Sequence, residues 1–358
     1  MRDGHNGPVM EAARRDLARM RESEAAWQEL RHEPSTGADG HAWDANETRR
    51  AKVLWALQYD RRPGDLPLLR FLAEQEALCR RHAPFQGLGE QAALAGFLLA
   101  RHRRVEDVWR QYEIKRANFD TLLGYDVEHV LAAGVQVTVD HLRTSEHPDR
   151  DQALEYLLGA GVDEERLREW AADEQAWFPE DPADEDPLTW VERAKLVGEG
   201  DLARAELDRW ARNRPRDAGT LNQLRYHLAD LGAFAEAARV QREALGFAEN
   251  DWDRASAWQS LAGLERRAGE HRAAWEALRE CRAALDGVAE WREFGLGRAY
   301  VEELFLLAGA AGPGLAGEVF AEAERQAREV PGLPPVVLRA AAEAALHVGD
   351  EAALERYL

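Results

Sequence analysis

Apolar residues along the chain recur at helical intervals. In ETRRAKVLWALQY (47–59), Ala51, Leu54, Trp55 and Leu57 share one face, and the spacing predicts a helix. LPLLRFLAEQEALCRRH (66–82), GEQAALAGFLLARH (89–102) and VEDVWRQYEIKRANF (105–119) continue the pattern, punctuated by Gly, Pro and Asp. VQVTVDHL (135–142) alternates as a strand does, but no second strand signal lies nearby to pair with it, so it too is predicted helical. VEHVLAAGV (127–135) and ALEYLLGAGV (153–162) read as two apolar helices closed by a glycine and a valine. Gly134 and Gly161 are expected at left-handed C-terminal caps, with Asp126 as the N-cap of the first. The expectation is an all-α protein built as a solenoid of stacked helical hairpins.

The pattern breaks at PEDPADEDP (179–187), where three prolines and five carboxylates deny helical hydrogen bonds and favour solvent. This segment reads as a linker or loop between an N-terminal helical domain (1–178) and a C-terminal domain (188–358). Beyond it, GDLARAELDRWARNRP (200–215), GAFAEAARVQREAL (232–245) and GEHRAAWEALRECRAAL (269–285) share one plan. Each opens on Gly and continues as an amphipathic helix, with a small residue (Ala205, Ala237, Ala274) where a neighbouring helix can approach.

This plan resembles the tetratricopeptide repeat, a helix–turn–helix unit of about 34 residues. Leu221, Leu224, Leu228, Gly232, Phe234, Ala237 and Ala244 sit on signature positions of one unit, and Trp258, Leu261, Ala262, Gly269, Ala274 and Cys281 on those of the next. A final unit carries Ala342, Ala345, Gly349 and Leu354, whereas Arg225 and Gln241 depart from the pattern. The resemblance implies a tetratricopeptide-like C-terminal half whose first helices line a concave groove for a protein or peptide. Carried over by position, the groove residues are Trp190, Asn222, Tyr226, Gln259 and Arg266. The implied function is a non-enzymatic scaffold; a peptide-gated sensor is an alternative.

Charge narrows the partners. A net charge of −20 disfavours nucleic acid, whose phosphates need a basic surface, and makes a basic protein or peptide easier to attract. Only Lys52, Lys115 and Lys195 are lysines, an Arg bias that reads as the codon usage of a GC-rich bacterial genome. Two distant cysteines, no signal-peptide core and no apolar run long enough for a bilayer predict a soluble cytoplasmic protein without a membrane partner.

Catalytic signatures are weak. GPGLAG (312–317) fits a dinucleotide-binding pattern by letter, but its flanks read as helices, so no cofactor is expected. Cys79 and His82 form a C-x-x-H pair without a second pair to complete a metal site. One short stretch stands apart: KRANFDTLLGY (115–125). Asp120 or Thr121 is expected to cap a turn there, which leaves Lys115, Asn118 and Tyr125 without a capping task. Lys115, Asn118, Asp120 and Tyr125 are therefore the candidates for a second possibility, an enzymatic or small-molecule site near 109–129.

Overall fold

The computed structural model describes residues 7–358 except 38, 39 and 213, and all side chains among them but those of residues 7 and 8. The chain forms two compact units, Met1–Leu202 and Ala203–Leu358. Both are helical, apart from a small antiparallel hairpin, β1 (Pro34–Thr36) and β2 (Ala42–Asp44), that the sequence pattern does not announce.

The first unit contains α1 (Gly7–Glu22), α2 (Glu47–Tyr59), α3 (Leu66–His82), α4 (Glu90–Ala100), α5 (Val108–Lys115), α6 (Phe119–Gly124), α7 (Val135–Thr144), α8 (Arg150–Gly159), α9 (Glu164–Trp177) and α10 (Pro187–Leu196). The predicted helices 47–59 and 66–82 correspond to α2 and α3, and the ambiguous 135–142 lies in α7. Helix α4 packs against α2, α3 and α5, and its residues 91, 92 and 94–100 are all buried. Each Leu sealed in this core (Leu54, Leu57, Leu69, Leu72, Leu94, Leu98) contributes roughly 1.5–3 kcal/mol of apolar burial. Within that core Arg50 is fully enclosed, bonded to Asp44 at 2.7 Å and Glu76 at 2.6 Å, so the buried cation is paired on both sides.

Two local expectations are corrected. The run 105–119 is not one helix: a 3-10 turn (Val105–Asp107) leads into α5, and a new helix, α6, starts at Phe119 behind its cap Asn118. VEHVLAAG is not a capped helix either. It makes one 3-10 turn (Val127–His129) and further turns, Asp126 makes no side-chain cap, and Gly134 (φ 117°, ψ 142°) precedes α7 instead of closing a helix. Residues 127–131 are all buried, and one face of a helix cannot bury five consecutive side chains. Gly161 does follow α8 with a left-handed φ of 64°.

The acidic segment is also not a free linker. Glu185 is buried and accepts from Gln58 Nε2 at 2.9 Å and Tyr59 Oη at 2.5 Å, while the Pro179 carbonyl accepts from Gln58 at 3.0 Å. The segment belongs to the first unit, and the division between units falls later, within α11 (Gly200–Ala211).

The second unit continues as α12 (Ala218–Asp230), α13 (Phe234–Ala244), α14 (Asp251–Arg267), α15 (His271–Leu285), α16 (Gly295–Ala310), α17 (Pro313–Glu329), α18 (Pro335–Val348) and α19 (Glu351–Tyr357). Neighbours pair as α12 with α13, α14 with α15, α16 with α17 and α18 with α19, and α14 and α18 both pack on α16. Gly232, Gly269 and Gly349 end α12, α14 and α18 at φ 76°, 83° and 79°. In each case the next residue's N–H returns to a carbonyl five residues back (Ala233 to Leu228, Glu270 to Glu265, Asp350 to Ala345), the Schellman arrangement.

The same cap closes α10, but at Gly198 (φ 78°), with Glu199 returning to Ala194. The unit's register is thus two residues earlier than the sequence pattern suggests. Ala203, fully buried, takes the place shared by Ala237 and Ala274, whereas Ala205 is exposed and admits no neighbour.

Candidate functional site

The stretch 115–125 folds around its own backbone. Asn118, not Asp120, caps α6: its Oδ1 accepts from the Thr121 N–H at 2.8 Å and the Thr121 hydroxyl accepts from the Asn118 N–H at 2.9 Å. The Asn118 amide also donates to the Arg80 carbonyl at 2.9 Å, tying α6 to the end of α3. Asp120 is exposed. Lys115 is buried, and its Nζ donates to the Tyr125 carbonyl; burial lowers its pKa, opposed by Asp126 and Glu128. Tyr125 is buried too and donates to Gln111 Oε1, with burial raising its pKa well above the usual value. Of the four candidates, Tyr125 lines a cavity.

That cavity, about 570 Å³, lies between α4, the end of α6, α9 and α10. Apolar walls come from Leu88, Ala93, Phe178 and Leu188, and Trp177, 73% exposed, stands at its edge. Its polar groups are Glu90, Asp126, His129, Glu174, Thr189 and Glu192; no Lys or Arg lines it among the described residues. Glu90 is engaged by Arg193 at 2.6 Å, and Glu192 by Lys195 at 2.9 Å. Asp126 accepts from the Trp170 indole at 3.1 Å.

His129 and Glu174 remain. His129 is 2% exposed and stacks on Tyr125, with ring centroids 4.1 Å apart. Its Nδ1 lies 3.2 Å from the Asp126 carbonyl, which can only accept, so Nδ1 carries the proton and Nε2 of the neutral ring is an acceptor. Nε2 faces Glu174 Oε2 at 3.6 Å, and neither atom has a hydrogen-bond partner among the described residues. Burial drives both groups toward neutrality. His129 falls to about 3, the Asp126 carbonyl opposing and Lys115 reinforcing the shift. Glu174 rises to about 7, with Asp126 and Asp173 adding to the effect of burial. Asp126 is raised as well, mainly by burial.

Sequence reading missed this pair because it joins residues far apart in the chain. One signal was present: Trp170, Glu174 and Trp177 fall on one face of α9, an acid set between two aromatic rings.

The groove candidates divide. Tyr226 and Arg266 come together in a second cavity of about 370 Å³, lined also by Arg225, Arg267 and Glu303 from α12, α14 and α16. Tyr226 is 58% exposed; Arg266 is paired with Glu303 at 2.6 Å. Asn222 is exposed and accepts from Arg225 at 2.6 Å, outside the cavity lining. Gln259 is half-buried and also outside it. Trp190 is no groove residue. At 2% exposure it belongs to the core of the first unit, beside Tyr59 and Arg193.

Cys79 finds a different histidine from the one suggested by spacing. His32, Asp44 and Cys79 present ligand atoms within 4.8 Å of one another. Asp44, held down to about 2 against the cost of burial by Arg50 and His32, already accepts from His32, Arg50 and the N–H groups of Glu33 and Asn46. Burial pushes the Cys79 thiol up to about 12, which leaves it protonated. The cluster pins the β1–β2 hairpin to α2 and α3 through Asp44, Arg50 and Glu76.

Among the described residues no helix is long and apolar enough to cross a membrane. No model of a protein family, no curated protein and no solved structure matches the chain. The fold therefore defines a class only: an all-α protein of paired helices, whose cavities include an acid-lined one in the first unit and an arginine-flanked one between α12, α14 and α16 in the second.

Proposed function

We propose that the chain is a non-enzymatic binding protein whose second unit, a tetratricopeptide-like array, receives a segment of another protein. One observation carries the reading: the first helices of three successive pairs, α12, α14 and α16, contribute side chains to a single cavity, as helices lining a repeat groove do. The regular glycine caps at Gly232, Gly269 and Gly349 support the repeat assignment.

Tyr226 offers an exposed ring for an apolar side chain, and Arg225 and Arg267 offer donors for backbone carbonyls or a carboxylate. The Arg267 guanidinium rests on the Phe234 ring at 4.0 Å, which limits its freedom and lowers the entropy lost on binding. The net charge of −20 acts at longer range, speeding encounter with a partner that is basic outside the bound segment.

A peptide array probed with the native chain and with Tyr226→Ala and Arg267→Ala variants tests the reading. Bound peptides should lose roughly tenfold or more in affinity with either variant, the cost expected of an interface anchor. An array whose binders are insensitive to both substitutions rejects it.

A further inference from the structure

A further cavity of the first unit, about 480 Å³, lies between α4, the turn that follows it, the turn before α7, and α9. We propose that it binds a small phosphate monoester with a ring in its body. Arg103 and Arg168 hold the phosphate, and the ring lies against Phe97, Leu167 and Trp170. No residue of the second unit takes part, so this site and the groove stand or fall separately.

Charge selects the ligand. The chain has 66 acidic residues against 46 basic ones, yet the cavity is lined by three arginines, Arg101, Arg103 and Arg168, and one acid, Glu164. Glu164 is already engaged, its Oε1 accepting the Val135 N–H at 2.7 Å. Arg168 donates to the Glu164 backbone carbonyl at 3.1 Å, and neither Arg103 nor Arg168 has a carboxylate partner among the described residues. Arg101 pairs with Glu180 at 2.8 Å, but Arg61 claims the same exposed carboxylate. Burial lowers the pKa of Arg61 and the nearby charge of Arg101 lowers it further, as expected where cations crowd together. Four guanidinium groups thus stand against two carboxylates, and two positive charges are left over. A phosphate monoester near neutral pH brings close to two negative charges and three acceptor oxygens. Its oxygens match the forked donors of arginine. A monocarboxylate would leave one guanidinium unmatched, and an amine would meet only repulsion.

Arg103 carries an independent mark. Its φ is 48°, a left-handed conformation that among the described non-glycine residues only Glu290 shares. An L side chain is strained there, and a glycine would end α4 at lower cost, as Gly232 and Gly269 end α12 and α14. Strained backbone persists where the side chain has a task. No ion pair within the fold supplies one for Arg103, whose side chain lines the cavity.

The walls set the rest of the ligand. Residues 132–134 and 171–172 are all Ala or Gly, and they leave the space that larger side chains would fill. Trp170 is held in place by its indole bond to Asp126 at 3.1 Å and by the His129 ring, 4.7 Å away. An aromatic body gains most against such a fixed ring, and the volume suits one or two rings.

Isothermal titration of the full chain with phenyl phosphate and 1-naphthyl phosphate, beside benzoate, phenol and inorganic phosphate, tests the assignment. At least one ester should bind saturably at millimolar concentration or below. Benzoate and inorganic phosphate should each be about tenfold weaker, for the lost charged hydrogen bonds and the lost ring contact, and phenol weaker still. Arg168→Gln should weaken the ester roughly tenfold. Arg103→Gly should do the same while leaving the melting temperature unchanged or higher, because the strain goes with the side chain. Arg15→Gln, which removes an exposed charge from α1, should bind as the native chain does. The proposal is overturned if neither ester binds, or if benzoate or inorganic phosphate binds as tightly as the esters. It is equally overturned if either cavity variant, folded by its far-ultraviolet spectrum, keeps native affinity, or if Arg15→Gln loses as much as they do.

Discussion

A Cβ placed on Gly96 would collide with the hydroxyl oxygen of Tyr125. The contact closes a small loop of bonds: Tyr125 donates to Gln111, and Gln111 donates to the Gly96 carbonyl at 2.9 Å. The Tyr125 wall of the first unit's acid-lined cavity is thus set by Gly96, the residue of α4 that has no side chain. Gly96→Ala must displace the Tyr125 ring, and with it His129, so we expect a loss of at least about 1–3 kcal/mol, the usual cost of overpacking. Urea unfolding measures it. Gly317→Ala, at an exposed position of α17 where a Cβ meets nothing, should gain up to about 1 kcal/mol under the same conditions. Equal effects at the two sites would refute the packing account.

The facing pair His129 and Glu174 makes a stability prediction with an unusual shape. The fold lowers the pKa of His129 to about 3, so folding favours its neutral form and stability is lost as pH falls from about 6.5 toward 3. It raises Glu174 to about 7, so stability is greatest with the acid protonated and is lost as pH rises from about 4.5 to 7. Between roughly pH 4.5 and 6.5 both states hold one proton on the pair, and the two slopes cancel. Glu174→Gln should expose the histidine slope, and His129→Gln the opposite one, amounting to up to about 3 kcal/mol across the window. Thermal melts at half-unit pH intervals would show it; parallel profiles for the two variants count against the pairing.

Arg193 is wholly buried, bonding Glu90 at 2.6 Å, the Tyr59 hydroxyl at 2.6 Å and Gln58 at 2.7 Å, with Glu185 at 3.6 Å. Removing one member of such a network leaves buried carboxylates uncompensated. Arg193→Met should cost about 3–5 kcal/mol, and Arg193→Lys should recover little because an ammonium lacks the forked donors. Denaturant midpoints of the two variants give the comparison, and full rescue by lysine would contradict it.

Gly232 and Gly269 occupy left-handed conformations in which a Cβ meets backbone, not neighbours, since nothing lies within 4 Å of either. Each Gly→Ala change should cost roughly 1–2 kcal/mol by backbone strain alone. The effects should add, as the caps lie in different helix pairs. Thermal denaturation of the two single variants and the double variant checks both size and additivity.

Lys115 and Asp120 are five residues apart but belong to different environments. Lys115→Ala removes a buried donor from the Tyr125 carbonyl and should cost about 1–3 kcal/mol, whereas exposed Asp120→Ala should stay within about 0.5 kcal/mol. Calorimetric melting temperatures distinguish them.

How far the chain could be read follows from how local each feature is. Helices α2 and α3 lie where periodicity puts them, because an apolar stripe and its punctuation act over a few residues. Gly232 and Gly269 were legible for the same reason. Asn118 takes the capping place expected of Asp120, since both side chains can accept from a helix N–H but only the Asn118 amide can also donate to the Arg80 carbonyl. The 127–131 turn was missed because its burial comes from every side at once, a tertiary effect. The register of Ala203 was misplaced because Gly198 and Gly200 are both available to a pattern, and only backbone conformation separates them. The cavity was least legible: Tyr125 was singled out, but His129 and Glu174 acquire their chemistry only from each other.

The bonds that Gln58, Tyr59 and Arg61 make to 179–185 bear on how the chain can be divided. Composition changes most abruptly there, and a biochemist choosing fragments for expression would cut at that point. Such a cut removes Glu185 and Arg193 from the side chains that enclose them, and the N-terminal fragment is left with an open seam beside α2. Its products should be insoluble or readily digested, whereas in the native chain protease nicks should fall in the largely exposed 180–184 part of the stretch and not at buried Glu185.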